Sequence, residues 1–486
     1  MASPLFATKC VDKLREDAEL AYGLKRTLGA FELILLGIGA IIGTGIFVLT
    51  GHAAATNAGP AVALSFVISG VASAFAGLCY AEMASMIPVA GSAYTYSYAT
   101  MGELVAWIIG WDLILEYLVG AATVSVGWSG YVVRFLGDVL GISLPGAWTR
   151  APFEWVNGHI QATGGIVNLP AVFITLLVTT ILVVGIKESA RFNSIVVVVK
   201  VAVVLLFIAA VAPHVRTENW HPFIPQNKGA FGQFGISGIF QGATMVFFAY
   251  IGFDAVSTAA QETRNPQRDL PRGILGSLAV CTLLYIAVSL ILTGVVPYTK
   301  LSVPYPIALG IAATGAKWGA VAVEIGAIAG LSSVMVVLLL GQPRIFFSMA
   351  VDGLLPKVAA KVHPRFGTPH ITTVATGLAC AIAGGVLPID VLGELCSIGT
   401  LFAFVLVSLG VMILRLRRPD IPRSFKVPGG PFVVPILGAV TSGLLMYTAT
   451  THTLIRLFAW MALGLVIYFS YGRRHSKLRQ TQASRR

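Results

Sequence analysis

An all-α protein that crosses a membrane many times is the fold class this sequence predicts, on three observations. Of its 486 residues, 56% are hydrophobic and 11% charged, against roughly 25% charged in soluble domains. A soluble core stops growing at about 250–300 residues, so this much apolar surface calls for lipid. The 52 glycines suit helices that approach one another closely inside a bilayer.

About 20 apolar residues cross the hydrocarbon core, and twelve such runs follow one another along the chain. They lie at 30–56, 61–87, 103–133, 169–186, 192–212, 236–260, 273–296, 318–348, 370–387, 391–414, 432–450 and 454–471. The stretch 1–29 ahead of them is polar and mixed in charge, unlike a cleavable signal peptide. Residues 472–486 form a basic tail.

The net charge of +12 is placed for topology and not for nucleic acid. With the N-terminus inside, the inward segments and loops hold 25 Lys and Arg, and the outward loops hold 7: Arg134, Arg150, Arg216, Lys228, Lys300, Lys317 and Arg456. Lys and Arg favour the cytoplasmic side, so both termini are expected there, in a cell (inner or plasma) membrane.

Two runs carry unusual interruptions. The first holds Gly37, Gly39, Gly43, Gly45 and Gly51, and the sixth holds Phe248-Ala249-Tyr250-Ile251-Gly252-Phe253-Asp254. Glycine costs about 1 kcal/mol relative to alanine inside a helix. Close packing would explain any single glycine; two clusters opening corresponding halves favour broken helices. The expected organisation is therefore spans one to five (30–212), an inverted second set (236–414) and two added helices (432–471).

A break in mid-membrane leaves main-chain groups that lipid cannot satisfy. The half-helix after the first break offers the amides of Gly43, Thr44 and Gly45, next to Ile42, and the positive end of its dipole, which suit a carboxylate. The first half of the sixth span ends in the carbonyls of Phe248, Ala249 and Ile251, which suit an ammonium. Together they fit the two ends of an α-amino acid and fit a sugar poorly.

These residues carry a resemblance. Gly37-Ile38-Gly39-Ala40-Ile41-Ile42-Gly43-Thr44-Gly45-Ile46-Phe47 resembles the first-helix signature of the amino acid–polyamine–organocation (APC) superfamily. Pro88 to Tyr96, Gly110 to Tyr117, Phe248 to Asp254 with Glu262 to Pro266, and Gly341 to Arg344 with Asp352 to Pro356 are similar to the cationic amino acid transporter (CAT) branch in its bacterial form. The resemblance covers the whole membrane region. It implies a LeuT-like fold of five plus five inverted helices plus two, and alternating access with uptake of L-amino acids, with protons as the coupling ion. The two further C-terminal helices of mammalian-type members are not expected here.

Lys200 stands half-way through the fifth span, where a lysine costs about 2.5–3.5 kcal/mol to insert. Snorkelling reaches poorly from there, and a lysine withdrawn from water can exchange its proton. In the resembling proteins a lysine here reaches the first-helix break in place of a sodium ion, which makes Lys200 the expected proton-coupling residue. A sodium reading rests on the hydroxyls of Ser332 and Ser333, though such hydroxyls more often bond to neighbouring backbone.

Asp112 and Glu116 share one face of the third span. The resemblance turns Glu116 toward the substrate cavity; Asp112 reads as a structural carboxylate. Asp254 is expected to cap the restarting sixth helix, and Phe253, following the break, is a candidate gate. Glu82 is either a gate residue or a solvated end, and Glu324 and Glu394 are expected to be solvated. Arg344 and the Asp352 loop read as a gate or loop anchor. Trp107, Trp111, Trp128 and Tyr117 fit packing or interfacial roles.

Other classes fit less well. A channel would show a pore loop or rings of charge, whereas this single chain with internal duplication is expected to work as a monomer. An enzyme would need a nucleophile and base or metal ligands, but the eight histidines lack ligand spacing. The five cysteines form no metal or disulfide pattern, so no cofactor or metal is expected. The remaining rivals are a polyamine or other amine carrier, an exchanger, or a sodium-coupled symporter.

Overall fold

The computed structural model describes residues 4–9, 28–87, 92–156, 159–185, 190–259 and 262–483. Most of the segment 1–29, residues 88–91 of the Pro88 to Tyr96 motif and the end of the 472–486 tail lie outside these residues.

The apolar runs fold as helices. The first starts as α1 (Ala30–Ile41), and after an interruption resumes as α2 (45–58) in π and α turns. There follow α3 (Val62–Met86), the short α4 (Ser92–Thr100) and α5 (Glu103–Leu140). A two-stranded hairpin, β1 (Phe153–Val156) with β2 (His159–Ala162), precedes α6 (Leu169–Val184) and α7 (Ala190–Val211). The sixth run is α8 (Gly235–Val246), a 3-10 turn to Tyr250, and α9 (Ala255–Thr258). After it come α10 (Pro266–Val295), the short α11 (Pro306–Ala312), α12 (Lys317–Val351), α13 (His370–Val386), α14 (Ile389–Arg417), α15 (Val433–Tyr447) and α16 (Thr451–Ile467). A last short helix, α17 (Lys477–Ala483), closes the described chain.

Local chemistry sets several ends. The Asn168 side chain accepts from Ala171 N–H at 3.3 Å and starts α6, and Gly185 ends it at φ +77°. Thr450 caps α16 through Thr453 N–H. Gly141, at φ +66°, stops α5, since glycine takes the left-handed conformation without steric cost.

Eight helical stretches among the described residues are long and apolar enough to cross a membrane, and four shorter apolar helices accompany them. They pack as two groups. In one, α10 lies on α1 and α3, and α8 lies on α3; in the other, α12 lies on α5 and α13 lies on α6. α14 packs against α15 and α16, and α7 bridges α1 and α12. This is a multi-pass membrane protein.

Both chain ends meet on one face. Lys9 Nζ pairs with Asp352 at 2.6 Å, Tyr94 Oη donates to the same carboxylate at 2.6 Å, and Lys477 N–H donates to the Asp352 carbonyl. Nearby, Glu103 accepts from Arg479 and Tyr468, each at 2.8 Å, and from Ser476. Glu82, 1% exposed, accepts from Arg415 Nε at 2.7 Å and from Val427 N–H at 2.8 Å, with Arg423 at 3.3 Å. Glu82 is therefore a buried anchor for the loop after α14 and not a solvated end.

The opposite face corrects another expectation. Glu324 is fully buried, held at 2.7 Å by Arg134, which also meets Asp138 and stacks on Tyr305. Glu394 is not free in solvent either, because Thr450 and Thr453 donate to it. Trp107 and Trp111 clamp α5 to α16: their indoles donate to the carbonyls of Gly464 and Trp460. Four cysteines, Cys79, Cys281, Cys380 and Cys396, are buried free thiols.

Candidate functional site

The site starts from two interruptions that touch. In the first span, Ile42 leaves the helix (φ −71°, ψ 102°) after its N–H bonds to Ile38. The next main-chain bond of this run is Phe47 N–H to Gly43 O at 3.2 Å. The amides of Gly43, Thr44 and Gly45 fall between these two bonds, at the start of α2. In the sixth span, Ile251 is extended (ψ 137°) and Gly252 sits at φ +112°, a conformation that favours glycine.

A Cβ on Gly45 would lie 2.3 Å from the Ala249 Cα, so the two interruptions are in backbone contact. The atoms nearest to a Cβ on Gly43 would be those of the Val334 side chain, the first at 3.3 Å. Thr44 packs under Gly127 of α5, and its hydroxyl is buried with no hydrogen-bond partner among the described residues.

The carbonyls are more heavily used than the sequence suggests. Phe248 O accepts from Ile251 N–H at 3.2 Å. Tyr285 Oη, from α10, bonds to both Ala249 O (2.9 Å) and Ile41 O (3.0 Å). So two of the three carbonyls expected to be free each carry one bond already and keep only a second lone pair. Sequence reasoning missed Tyr285; its one signal is a lone tyrosine in the middle of the seventh apolar run.

Lys200 is fully buried, and its Nζ donates to Gly39 O at 2.7 Å, at the inner lip of the first interruption. Its alkyl stem lies against Gly330 of α12. Of the hydroxyls behind the sodium reading, that of Ser332 is committed: it accepts from Trp128 Nε1 and donates to Ile328 O. No group of three or more His, Cys, Asp or Glu suited to a metal ion occurs among the described residues.

Glu116 lies in the π turn Leu115–Val119 of α5. Such single π turns often mark functional positions. It is 2% exposed, and its main-chain carbonyl accepts from Cys396 Sγ of α14 at 3.4 Å. Asp254 makes no side-chain bond to the start of α9, correcting its expected role as a cap; Tyr117 donates to it at 3.3 Å. Phe253 is fully buried, its ring against Tyr80 (5.5 Å) and Phe404 (5.1 Å). Between α5, α12 and α14, Gly120 faces Cys396 and Leu338, one turn along α12 from Val334.

The described residues thus gather Gly43, Thr44, Gly45, Ala249 and Tyr285 at one contact, with Lys200 on its first-span side. Glu116 and Phe253 sit by the restart of the sixth span.

Comparison with known proteins fits this architecture. The family described as Amino acid permease matches residues 28–468. The chain is 50% identical over 481 residues to the branched-chain amino acid permease BcaP of Bacillus subtilis (strain 168), covering 99% of this chain and 100% of that one. It is 46% identical to the methylthioribose transporter of the same organism, covering 98% and 99%. It is 38% identical over 397 residues to the vacuolar cationic amino acid transporter 4 of Arabidopsis thaliana, covering 82% of this chain and 64% of that one. With a match across nearly all its helices, the chain belongs to the amino acid permease family of the APC superfamily, and it is a transporter, not an enzyme.

Proposed function

We propose that the protein imports amino acids with apolar side chains by alternating access, driven by protons, in a LeuT-like arrangement of five plus five helices and two more. The observation that carries this reading is the contact of the two interruptions at Gly45 and Ala249. The amides of Gly43, Thr44 and Gly45 receive the carboxylate, as helix N-termini receive anions. The ammonium faces the remaining lone pairs of Phe248, Ala249 and Ile251, with Glu116 nearby. Ile42 and the wall of Val334, Leu338, Gly120 and Cys396 favour an apolar side chain over a cationic one.

The packing of first and second spans with sixth and seventh, and of third and fourth with eighth and ninth, supports the inverted repeat of 30–212 and 236–414. The Lys and Arg bias supports a plasma membrane protein with the face that holds both termini in the cytoplasm. Lys200, bonded at the first interruption, is the proton-coupling residue in this reading, and Phe253 is a gate.

Proteoliposome uptake tests it, using labelled leucine, isoleucine, valine, alanine, arginine, putrescine and methylthioribose, with and without an inward proton gradient. Branched-chain uptake that rises with the gradient is expected. Accumulation of methylthioribose or putrescine alone would overturn the substrate assignment. Lys200→Met should remove the dependence of uptake on the proton gradient; an unchanged dependence would take the coupling role away from Lys200.

A further inference from the structure

The starts of α1 and α10 are tied side by side. Leu28 N–H donates to Glu262 O at 3.0 Å and Arg264 N–H to Leu28 O at 2.8 Å, so the segments leading into the two helices run parallel. The helices then close on glycines. A Cβ on Gly273 would lie 2.7 Å from the Leu33 Cβ, and one on Gly276 would lie 2.9 Å from the Ile34 Cδ1. One turn back from that contact, Arg272 stands on the Gly276 side of α10 and Phe31 on the Ile34 side of α1, since positions three or four apart share a helix face. Phe31 is 68% exposed. Arg268 comes one turn further back, and in the other direction the same face of α10 continues to Val280 and Leu283, the latter 69% exposed.

Charge at this seam is unbalanced. Arg264, Arg268 and Arg272 are exposed, and none has an ion pair among the described residues. Ser424 Oγ donates to Gln267 at 3.0 Å, which brings the loop with the exposed Lys426 to the same place. Of the acids close by in the chain, Asp269 is buried, Glu262 is half-buried, and Glu32 accepts from Gly29 N–H at 2.9 Å. By contrast, Lys9, Arg415, Arg423 and Arg479 each meet a carboxylate. A basic, exposed end that runs into an exposed apolar seam has the outline of a ligand with an anionic head and an apolar tail.

We propose that this seam binds an anionic phospholipid, its phosphate on Arg268 and Arg272 and its acyl chains along Phe31, Ile34, Val280 and Leu283. The guanidinium fork matches phosphate oxygens, and basic residues at the bilayer surface attract anionic lipids. A soluble anion would use only the arginines, and a zwitterionic lipid would bring its own cation to them. α1 ends at Ile42 and is not continuous with α2, so its position depends on side-to-side packing such as this. A lipid lying across the seam tethers α1 to α10. The inference rests on the transport reading only for which leaflet, the cytoplasmic one, supplies the lipid.

Native mass spectrometry of the full chain with added phosphatidylglycerol, phosphatidylcholine or glycerol phosphate tests it, alongside hydrogen exchange of residues 30–41. Phosphatidylglycerol should be retained in preference to phosphatidylcholine and should slow exchange over 30–41; glycerol phosphate should do neither. Arg268→Gln and Arg272→Gln should each weaken phosphatidylglycerol binding roughly fivefold, the worth of one cation beside an anionic headgroup. Arg365→Gln, at an exposed arginine between α12 and α13, should leave it unchanged. Equal retention of phosphatidylcholine, equal weakening by Arg365→Gln, or wild-type binding in the double variant of Arg268 and Arg272 would overturn the proposal. So would phosphatidylglycerol binding that leaves exchange over 30–41 unaltered, because the lipid would then lie elsewhere. If the double variant misfolds, the single variants and the wild-type lipid preference still decide. Phosphatidylglycerol binding of this pattern in a protein that accumulates no amino acid would sustain the lipid site and reject the transport reading. Amino acid uptake with no preference among the lipids would do the reverse.

Discussion

The two helix interruptions lie against each other yet are finished differently. Around the first, the carbonyls of Gly39 and Ile41 are taken by Lys200 and Tyr285, while the amides of Gly43 to Gly45 lie between the last bond of α1 and the first of α2. Around the second, Phe248 and Ala249 carbonyls are partly used, and the polarity comes from the side chains of Asp254, Glu116 and Tyr117. The first is a donor surface made of main chain, fixed once the helix is broken. The second relies on groups that can gain or lose a proton. A fixed end suits the invariant part of a ligand, and a titratable end suits a switch.

The most damaging way to break this pairing is Gly45→Val. Its Cβ would press on the Ala249 backbone, which cannot rotate aside; overpacking of this kind costs about 1–3 kcal/mol. Binding by thermal shift and uptake in proteoliposomes should both be lost. Substrate binding at wild-type strength would mean that the contact does not form the site. Gly43→Val should do less, since the atoms it meets first are those of the Val334 side chain, and Val334→Ala should restore part of the activity.

Next in size is Tyr285→Phe. One hydroxyl serves both interruptions, and leaving buried carbonyls without their donor costs about 1–3 kcal/mol. A lowered unfolding temperature with weakened uptake is expected; a stability equal to wild type would show that the two ends are not linked through Tyr285. The mildest test is Thr44→Val, which removes a hydroxyl that bonds to nothing among the described residues. Stability should move by less than about 0.5 kcal/mol. Affinity should fall roughly fivefold, the worth of one hydrogen bond of about 1 kcal/mol. Unaltered affinity would place the ligand carboxylate away from Thr44.

What the sequence could disclose follows from how local each signal is. The apolar runs and the helices agree closely, as for 61–87 against Val62–Met86 and 192–212 against Ala190–Val211, because lipid imposes length and hydropathy on every span. The glycine clusters disclosed both interruptions, and the cost of a mid-membrane lysine singled out Lys200. The misses are all matters of partners. Glu324 reads as a solvated end until Arg134, 190 positions away, closes over it. Tyr285 looks like any membrane tyrosine, since nothing nearby says that two distant carbonyls need its hydroxyl. Asp254 reads as a cap because a carboxylate before a helix often is one, whereas the hydroxyl of Tyr117 on another helix donates to it.

The joining of both chain ends at Asp352 has a consequence for how the molecule is made. Lys9 reaches Asp352 across 343 positions, and Lys477 bonds to the same residue. This seam cannot be stitched until α17 has left the ribosome, long after the earlier helices have entered the bilayer. During synthesis that side of the nascent protein stays unfastened, so a fusion partner placed close to either Lys9 or Lys477 would meet the assembly step itself.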